Sequence, residues 1–416
     1  MVIDSHHIVM NTNSVHDQKK DVMVGIVKSA SLHVVFHSTY LLDGQPYEGD
    51  HTFSPSSQER LFVPQDGQAS FTLKKVKIGI GFHWEREEEQ TFCGALLLTN
   101  EEGMVRAINV VPVETYLTSV ISSEMSANAS LELLKAHAVI SRSWLLVMMN
   151  HRQQMSARRE AFHEQLGESS VIRWYDSEAH TRFDVCADDH CQRYQGITRQ
   201  SNPQVVKAIE ATWGQVLTYD GRLCDARFSK CCGGMTEVFE SCWEKVSHPY
   251  LVAKPDPYCH TSDSRILSQV LNNYDQETVD FYHWTVHYTS DELAELIHRK
   301  SGIDFGRIIN LIPVERGLSD RIIMLKIVGE KSTITVGKEL EIRKWLSESH
   351  LYSSAFTVEK TADGFTLHGK GWGHGVGLCQ IGAAVMGDQG IPYRDILSFY
   401  YPNSHLMTIE ELINEK

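Results

Sequence analysis

Four stretches of this 416-residue chain bring together side chains able to do chemistry. Glu124 stands between apolar Val120-Ile121 and Met125. A carboxyl set against apolar side chains suits general-acid work, although spacing alone favours a structural ion pair with a nearby Lys or Arg. His180, Cys186, His190 and Cys191 collect two imidazoles and two thiols within twelve residues. Nitrogen and sulfur donors at such short spacing suit tetrahedral zinc, with free thiols and a surface histidine as the alternative. In the third stretch, Gly233-Gly234 is followed by Glu237, Glu240 and Trp243. Paired glycines permit a tight turn or close approach of backbone to a ligand. The fourth, residues 369–377, reads GKGWGHGVG, with glycine at every second position. In an extended chain the glycines would share one face, leaving Lys370, Trp372 and His374 on the other. Trp372 then offers a stacking platform and His374 a titratable group; a purely structural glycine stretch is the other reading.

The elements that must position these groups are mixed. From Val22 to Val111 short β-patterned runs (Val24–Ile26, Leu32–Phe36, Phe71–Ile80, Ala95–Leu98) alternate with Gly, Asp, Asn and Pro. From Val111 to Ser143 the pattern turns helical, with Ser130 as a cap and Glu132 in the first turn. On that helix Lys135 and Arg142 are seven residues apart and point in nearly the same direction, on or beside an apolar stripe. Buried cations are costly unless paired, so they either meet internal carboxylates or line a cleft that binds an anion. Met149–Glu168 reads as a solvated helix or insertion. Residues 290–300 start a helix with a Ser or Asp cap. Ile322–Val328 and Ser332–Val336 read as a hairpin, and two short C-terminal helices break at Gly390-Ile391-Pro392. The alternation of strand blocks and helix blocks predicts an α+β fold.

Composition narrows the function. An apolar content of 42% fits a globular protein. The net charge of -14 argues against a nucleic-acid partner, which calls for a basic face. No apolar run reaches the ~20 residues of a membrane helix. Nine cysteines in so long a chain point to metal binding or reduced thiols rather than a disulfide scaffold. Neither a P-loop nor a Rossmann register fits the glycine run, so no organic cofactor is expected. Residues 1–21 form a polar, His-rich tail without the features of a signal peptide; read literally, that places the chain in the cytoplasm.

The motifs resemble those of the stage II sporulation protein D (SpoIID/LytB) family. Glu124-Met125-Ser126 followed by Leu133-Leu134-Lys135-Ala136-His137-Ala138-Val139-Ile140-Ser141-Arg142-Ser143 is similar to the family's Glu-Met-Pro and Lys-Ala-Gln-Ala-Val-Ala-Ala-Arg-Thr segment. Ser126, His137 and Ser143 stand for Pro, Gln and Thr. The Cys186…His190-Cys191-Gln192-x-Tyr194 stretch, the Gly233-Gly234-x-Thr236-Glu237-x-x-Glu240-x-x-Trp243 block and the run from Gly371 to Ala383 follow in the family's order. Cys231-Cys232 replace the usual Thr-Ser, Cys379 a Ser, and Val252 a frequent basic residue, for which Lys254 is a substitute.

The resemblance implies one SpoIID-like α+β domain over residues 22–405. Within it lie a β-rich part (22–110), a catalytic core with the Glu124 helix and a zinc element (111–260), and a C-terminal part (261–416) with the glycine segment. It implies a peptidoglycan lytic transglycosylase that cuts between N-acetylmuramic acid and N-acetylglucosamine in glycan strands, preferably peptide-free. Glu124 would be the catalytic acid and base. Lys135, Arg142, Trp372, His374 and Glu240 would contact substrate, the two cations facing the lactyl carboxylate of stripped strands. His180, Cys186, His190 and Cys191 would hold a structural or site-shaping zinc. A second implication is a non-catalytic glycan binder that activates a cell-wall amidase. Such a substrate lies outside the cytoplasmic membrane, which leaves the compartment open.

Overall fold

The computed structural model describes residues 21–78, 86–126, 128–155, 163–167, 169–174, 180, 182–188, 191–199, 202–270 and 282–414. The first part is a curled sheet. Its strands are β1 (Asp21–Ser29), β2 (Leu32–Leu42), β3 (Gln45–Phe53), β4 (Arg60–Pro64), β5 (Ser70–Ile78), β6 (Arg86–Cys93), β7 (Ala95–Glu101) and β8 (Met104–Pro112). They run in the order β1-β8-β7-β4-β2-β5-β6, with β3 beside β2 and Val185–Cys186 added outside β1. Side chains alternate in and out along these strands; in β5, Val76 and Ile78 are buried while Lys75 and Lys77 are not. Register shifts in β1, β2 and β5 bend the sheet around its core.

β8 leads directly into helix α1 (Val113–Glu124), and after a short link helix α2 (Leu131–Met155) follows. Ser130 caps α2 as expected, its hydroxyl accepting the Leu133 N–H at 3.3 Å. α2 is the central helix, not a surface helix with one buried face. Every residue from Ala136 to Met149 is buried. Around it pack α1, the helices Pro203–Ala211, Gln380–Asp388 and Tyr393–Tyr400, and the strand Gln215–Tyr219. Its polar residues are therefore satisfied internally. Ser143 Oγ donates to Val139 O and accepts from Leu217 N. Arg142 has no solvent exposure, and its guanidinium donates to both oxygens of Glu114 on α1, at 2.8 and 2.6 Å, and to Gln215 O at 2.9 Å. Of Met149–Glu168, read as a solvated helix or insertion, α2 covers the part to Met155 and His163–Gly167 is a strand.

A second core lies under a sheet in which Ile308–Arg316, Ile322–Gly329, Thr333–Gly337, Ser170–Trp174 and His163–Gly167 are neighbours in that order. The expected hairpin is the antiparallel pairing of Ile322–Gly329 with Thr333–Gly337. The helix Ser290–Ser301 packs on this core. Its cap is Thr289, one residue before the expected Ser, in a reciprocal box with Glu292.

The Arg142–Glu114 pair generates a prediction. Removing one partner of a buried pair leaves an uncompensated charge, costing about 3–5 kcal/mol. Glu114→Gln should lower the unfolding free energy by that order in urea titrations. The double variant Glu114→Leu with Arg142→Met should recover a large part of it.

Candidate active site

Glu124 is the last residue of α1, held there as the chain turns out of the helix at Met125, whose N–H still reaches Ile121 O at 2.9 Å. The link that follows is fixed by Gln269: its carbonyl accepts Ser126 N–H and its side-chain oxygen accepts Ser130 N–H. Glu124 itself is half-buried, and no hydrogen bond or ion pair joins its carboxylate to another described residue. Three other glutamates of the chain are committed. Glu114 is taken by Arg142, and Glu132 by Lys135 at 2.7 Å and by the Tyr393 N–H. Glu237 accepts from Val238 N, Leu318 N, Ser319 N and the hydroxyls of Ser241 and Ser319.

The expected substrate contact of Arg142 is corrected by this geometry in favour of the other reading, a pairing with an internal carboxylate. Arg142 faces no cleft, because its donors are consumed inside the protein. Lys135 is half-buried, bound to Glu132 and set over the Tyr393 ring at 5.6 Å. Lys254, the substitute for the missing basic residue, donates to Phe399 O and lies 3.6 Å from that ring's centre.

The cysteine and histidine element hangs on the sheet edge. Val185–Cys186 pairs in parallel with Val24-Gly25. Gly25 is required there, since a Cβ would fall 2.6 Å from the Phe183 ring. His180 Nε2 lies 3.3 Å from Cys191 Sγ, and the donor atoms of His180, Cys186 and Cys191 all lie within 4.8 Å of one another. His190 lies outside the described residues. This element and Glu124 share a neighbour, Tyr116. Burial above all, then the nearby Cys191, Cys186, Tyr194 and Glu124, drive the Tyr116 phenol well above its usual range, so it stays protonated. Its hydroxyl donates to Gln192, whose amide reaches Ser141 O on α2.

The glycine segment differs from the expected extended strand. Gly371, Gly373, Gly375 and Gly377 all have φ between 73° and 89°, so left-handed residues alternate with the others. The bare positions face the protein's own backbone. A Cβ on Gly377 would meet Arg227 O at 2.0 Å, and one on Gly371 would meet Cys231 O at 2.8 Å. His374 points inward. Its Nδ1 accepts the Val376 N–H at 3.0 Å, and its ring stands edge-on to Trp243. Burial, then the charges of Arg227, Arg321 and Arg343, hold its imidazole neutral, well below the usual histidine range. Half-buried, it is held in the turn by these contacts. Trp372 is half-buried, edge-on to Tyr352. Glu240 is half-buried on the short helix Phe239–Cys242, and its carbonyl accepts from Lys338.

Sequence reasoning quoted Glu237 within a motif but gave it no role, and it passed over Arg321. Arg321, fully buried, donates to Gly373 O, Cys232 O and Ser319 Oγ. With Glu237 on the same serine, it pins the turn at 317–321 onto the glycine segment. The available signal was a single arginine in the turn Gly317-Leu318-Ser319-Asp320-Arg321, too weak to read.

Comparison with known proteins finds matches to two family models and to several relatives. Residues 101–219 match the family model described as stage II sporulation protein, and residues 237–377 match a domain of unknown function, DUF8618. The stage II sporulation protein D of Bacillus subtilis is 23% identical over 317 residues, 74% of this chain and 78% of that protein. The chain is thus similar to stage II sporulation protein D, by a family match over residues 101–219 and by relatives of 22–28% identity over most of its length. An amidase enhancer of Bacillus subtilis is 28% identical over 321 residues, 70% of this chain but 40% of the enhancer's own length. An uncharacterized protein of Brachyspira hyodysenteriae is 27% identical over 82% of this chain and 74% of its own. As in the family pattern, α1 ends on an acid and α2 carries the Lys and Arg. Here His137 stands at the family's glutamine, fully buried, bonded to Ser141 Oγ and accepting from the Gln380 amide at 3.1 Å.

His137 sets a pH prediction. Burial first, then Lys230, lower its pKa from 6.5 to about 3. The unfolded chain takes up this proton below about pH 6.5 while the folded chain refuses it until about pH 3. Its share of stability is therefore complete above pH 6.5 and is lost as pH falls through that window, at up to about 1.4 kcal/mol per pH unit. Denaturant titrations at pH 7 and pH 5 should show a smaller acid loss for His137→Gln than for the wild type.

Proposed function

We propose that this chain is a lytic transglycosylase acting on peptidoglycan glycan strands, with Glu124 as its single acid and base. The observation that carries the reading is the state of the Glu124 carboxylate: half-buried at the end of α1, it has no hydrogen-bond or ion-pair partner among the described residues, whereas Glu114, Glu132 and Glu237 are bound by internal donors. A buried or half-buried acid left unmatched in an otherwise satisfied region is a functional candidate. The family and its glutamate at this position support the same assignment.

In the proposed reaction the protonated Glu124 gives its proton to the glycosidic oxygen between N-acetylmuramic acid and N-acetylglucosamine as the bond to the muramic C1 breaks. The resulting carboxylate then takes the proton of the muramic 6-hydroxyl while that oxygen bonds to C1, closing a 1,6-anhydro ring. The proton account returns to its start and no water is consumed. A hydrolase would need a second carboxylate at defined separation, and Glu240 is the candidate for that role. Substrate contact is assigned to Trp372 and, at the edge of α2, to Lys135; Arg142 and His374 act by holding α2 and the glycine segment in place.

His180, Cys186 and Cys191 fit a zinc ion by donor chemistry and mutual spacing. Such an ion would fix the 180–194 stretch against β1 and α1 without entering the reaction. The family relation to an amidase enhancer gives a second reading, a glycan-binding activator of a cell-wall amidase.

The test is digestion of peptide-free glycan strands. General acid–base catalysis contributes about 10²–10⁴-fold, so Glu124→Gln should lose at least that order in rate while its circular dichroism is unchanged. Glu240→Gln should leave the anhydro product form as it is. No cleavage by folded wild type, with stimulation of an added amidase, would replace this reading with the activator.

A further inference from the structure

Behind the glycine segment lies a second cluster of donors that neither the reaction nor the His180 element uses. Cys232, Asp256, Cys259 and Cys379 are all buried, and one donor atom from each lies within 4.8 Å of every other. Cys232 Sγ is 3.5 Å from Cys259 Sγ and 3.2 Å from Asp256 Oδ2. In a tetrahedral zinc centre with bonds of ~2.3 Å, sulfur atoms sit roughly 3.8 Å apart, so the cluster already has the dimensions of such a shell. No disulfide joins these cysteines.

The surroundings are those a metal-bound thiolate needs. Cys259 Sγ accepts the Gly234 N–H at 3.0 Å. Cys379 Sγ accepts the Cys232 N–H at 3.3 Å and, as N-cap of the helix Gln380–Asp388, the Gly382 N–H at 3.5 Å. Asp256 is oriented at both oxygens, by the Tyr258 N–H and by the Tyr400 hydroxyl, each at 2.9 Å. Outer partners of this kind orient ligands and spread their charge. Gly233 and Gly234, at φ 74° and 91°, make the turn that aims the Gly234 N–H at the cluster. Cys232 and Cys379 stand where the family pattern has hydroxyl residues, so the sulfur content belongs to this chain rather than to the shared motif. The soft, three-sulfur set selects zinc over hard cations such as magnesium or calcium.

We propose that Cys232, Cys259, Cys379 and Asp256 bind a structural zinc ion, which clamps the 231–234 turn, the 256–259 loop and the end of the glycine segment to one another. Cys231, whose thiol reaches Cys259 and Cys379, is a neighbour of the shell. The site closes all four positions with protein ligands, as structural centres do.

The experiment measures zinc in the full chain purified under reducing conditions, by plasma mass spectrometry. A Cys186→Ser/Cys191→Ser variant removes the His180 element. This variant should still carry one zinc per chain, and X-ray absorption at the zinc edge should show a first shell dominated by sulfur at about 2.3 Å. Adding Cys232→Ser and Cys379→Ser, residues close to the family pattern, should remove that zinc while circular dichroism reports a folded chain. Should these added changes unfold the protein, the absorption spectrum of the first variant alone decides the matter. Absence of zinc from the first variant after incubation with zinc, a nitrogen-dominated shell, or a Cys232–Cys259 disulfide found by peptide mapping would each overturn the proposal.

Discussion

Arg142 carries its charge into a region without solvent, and the chain answers with both oxygens of Glu114 and the carbonyl of Gln215. A charge there is tolerated only when its donors are matched, so this contact fixes how α1 crosses α2. The consequences run outward from it. α1 can lie only where its second residue meets Arg142, and its length then sets where Glu124 emerges. α2, held on one side by this pair, is free to bury its remaining faces against the C-terminal helices. Arg142 thus acts through position, by the internal pairing that was one of the two sequence readings, while Glu124 stands at the far end of the helix that carries its partner Glu114.

A second constraint is backbone against backbone. The glycine segment is squeezed between the 227–233 stretch and the turn at 317–321, and its left-handed glycines are the only residues that fit so close to Arg227 O and the Arg321 guanidinium. Glu237 and Arg321, bridged by Ser319, hold that packing from the second core. The signature motif of the chain is then a seam between its two cores, with Trp372 left half-exposed on it.

What could be read from sequence follows from the range of the interactions involved. The β-rich start, the 322–336 hairpin, the Ser130 cap and the break at Gly390-Ile391-Pro392 are set by neighbours in the chain, and they stand where pattern and turn chemistry put them. α2 buries more than its apolar stripe predicts because His137, Arg142 and Ser143 each bond to a partner on another element, which no local pattern records. The glycine run misled for the same reason, since alternation suggests a strand until its neighbours are known. Within the site, the His180 and Cys186 pair was legible because both lie on one short stretch. The Cys232, Asp256, Cys259 and Cys379 cluster was not, because its donors come from three distant stretches and none of them forms a short Cys-x-x-Cys pair.

In the proposed reaction one carboxylate carries both proton transfers and water takes no part in bond cleavage. Digestion of peptide-free glycan strands in water enriched in heavy oxygen tests it directly, with mass spectrometry of the new muramic ends. A transglycosylase leaves ends lighter than hydrolytic ones by one water and free of the heavy isotope, the result expected here. Ends that carry one heavy oxygen each would contradict it, and would show a hydrolase with a second carboxylate beside Glu124.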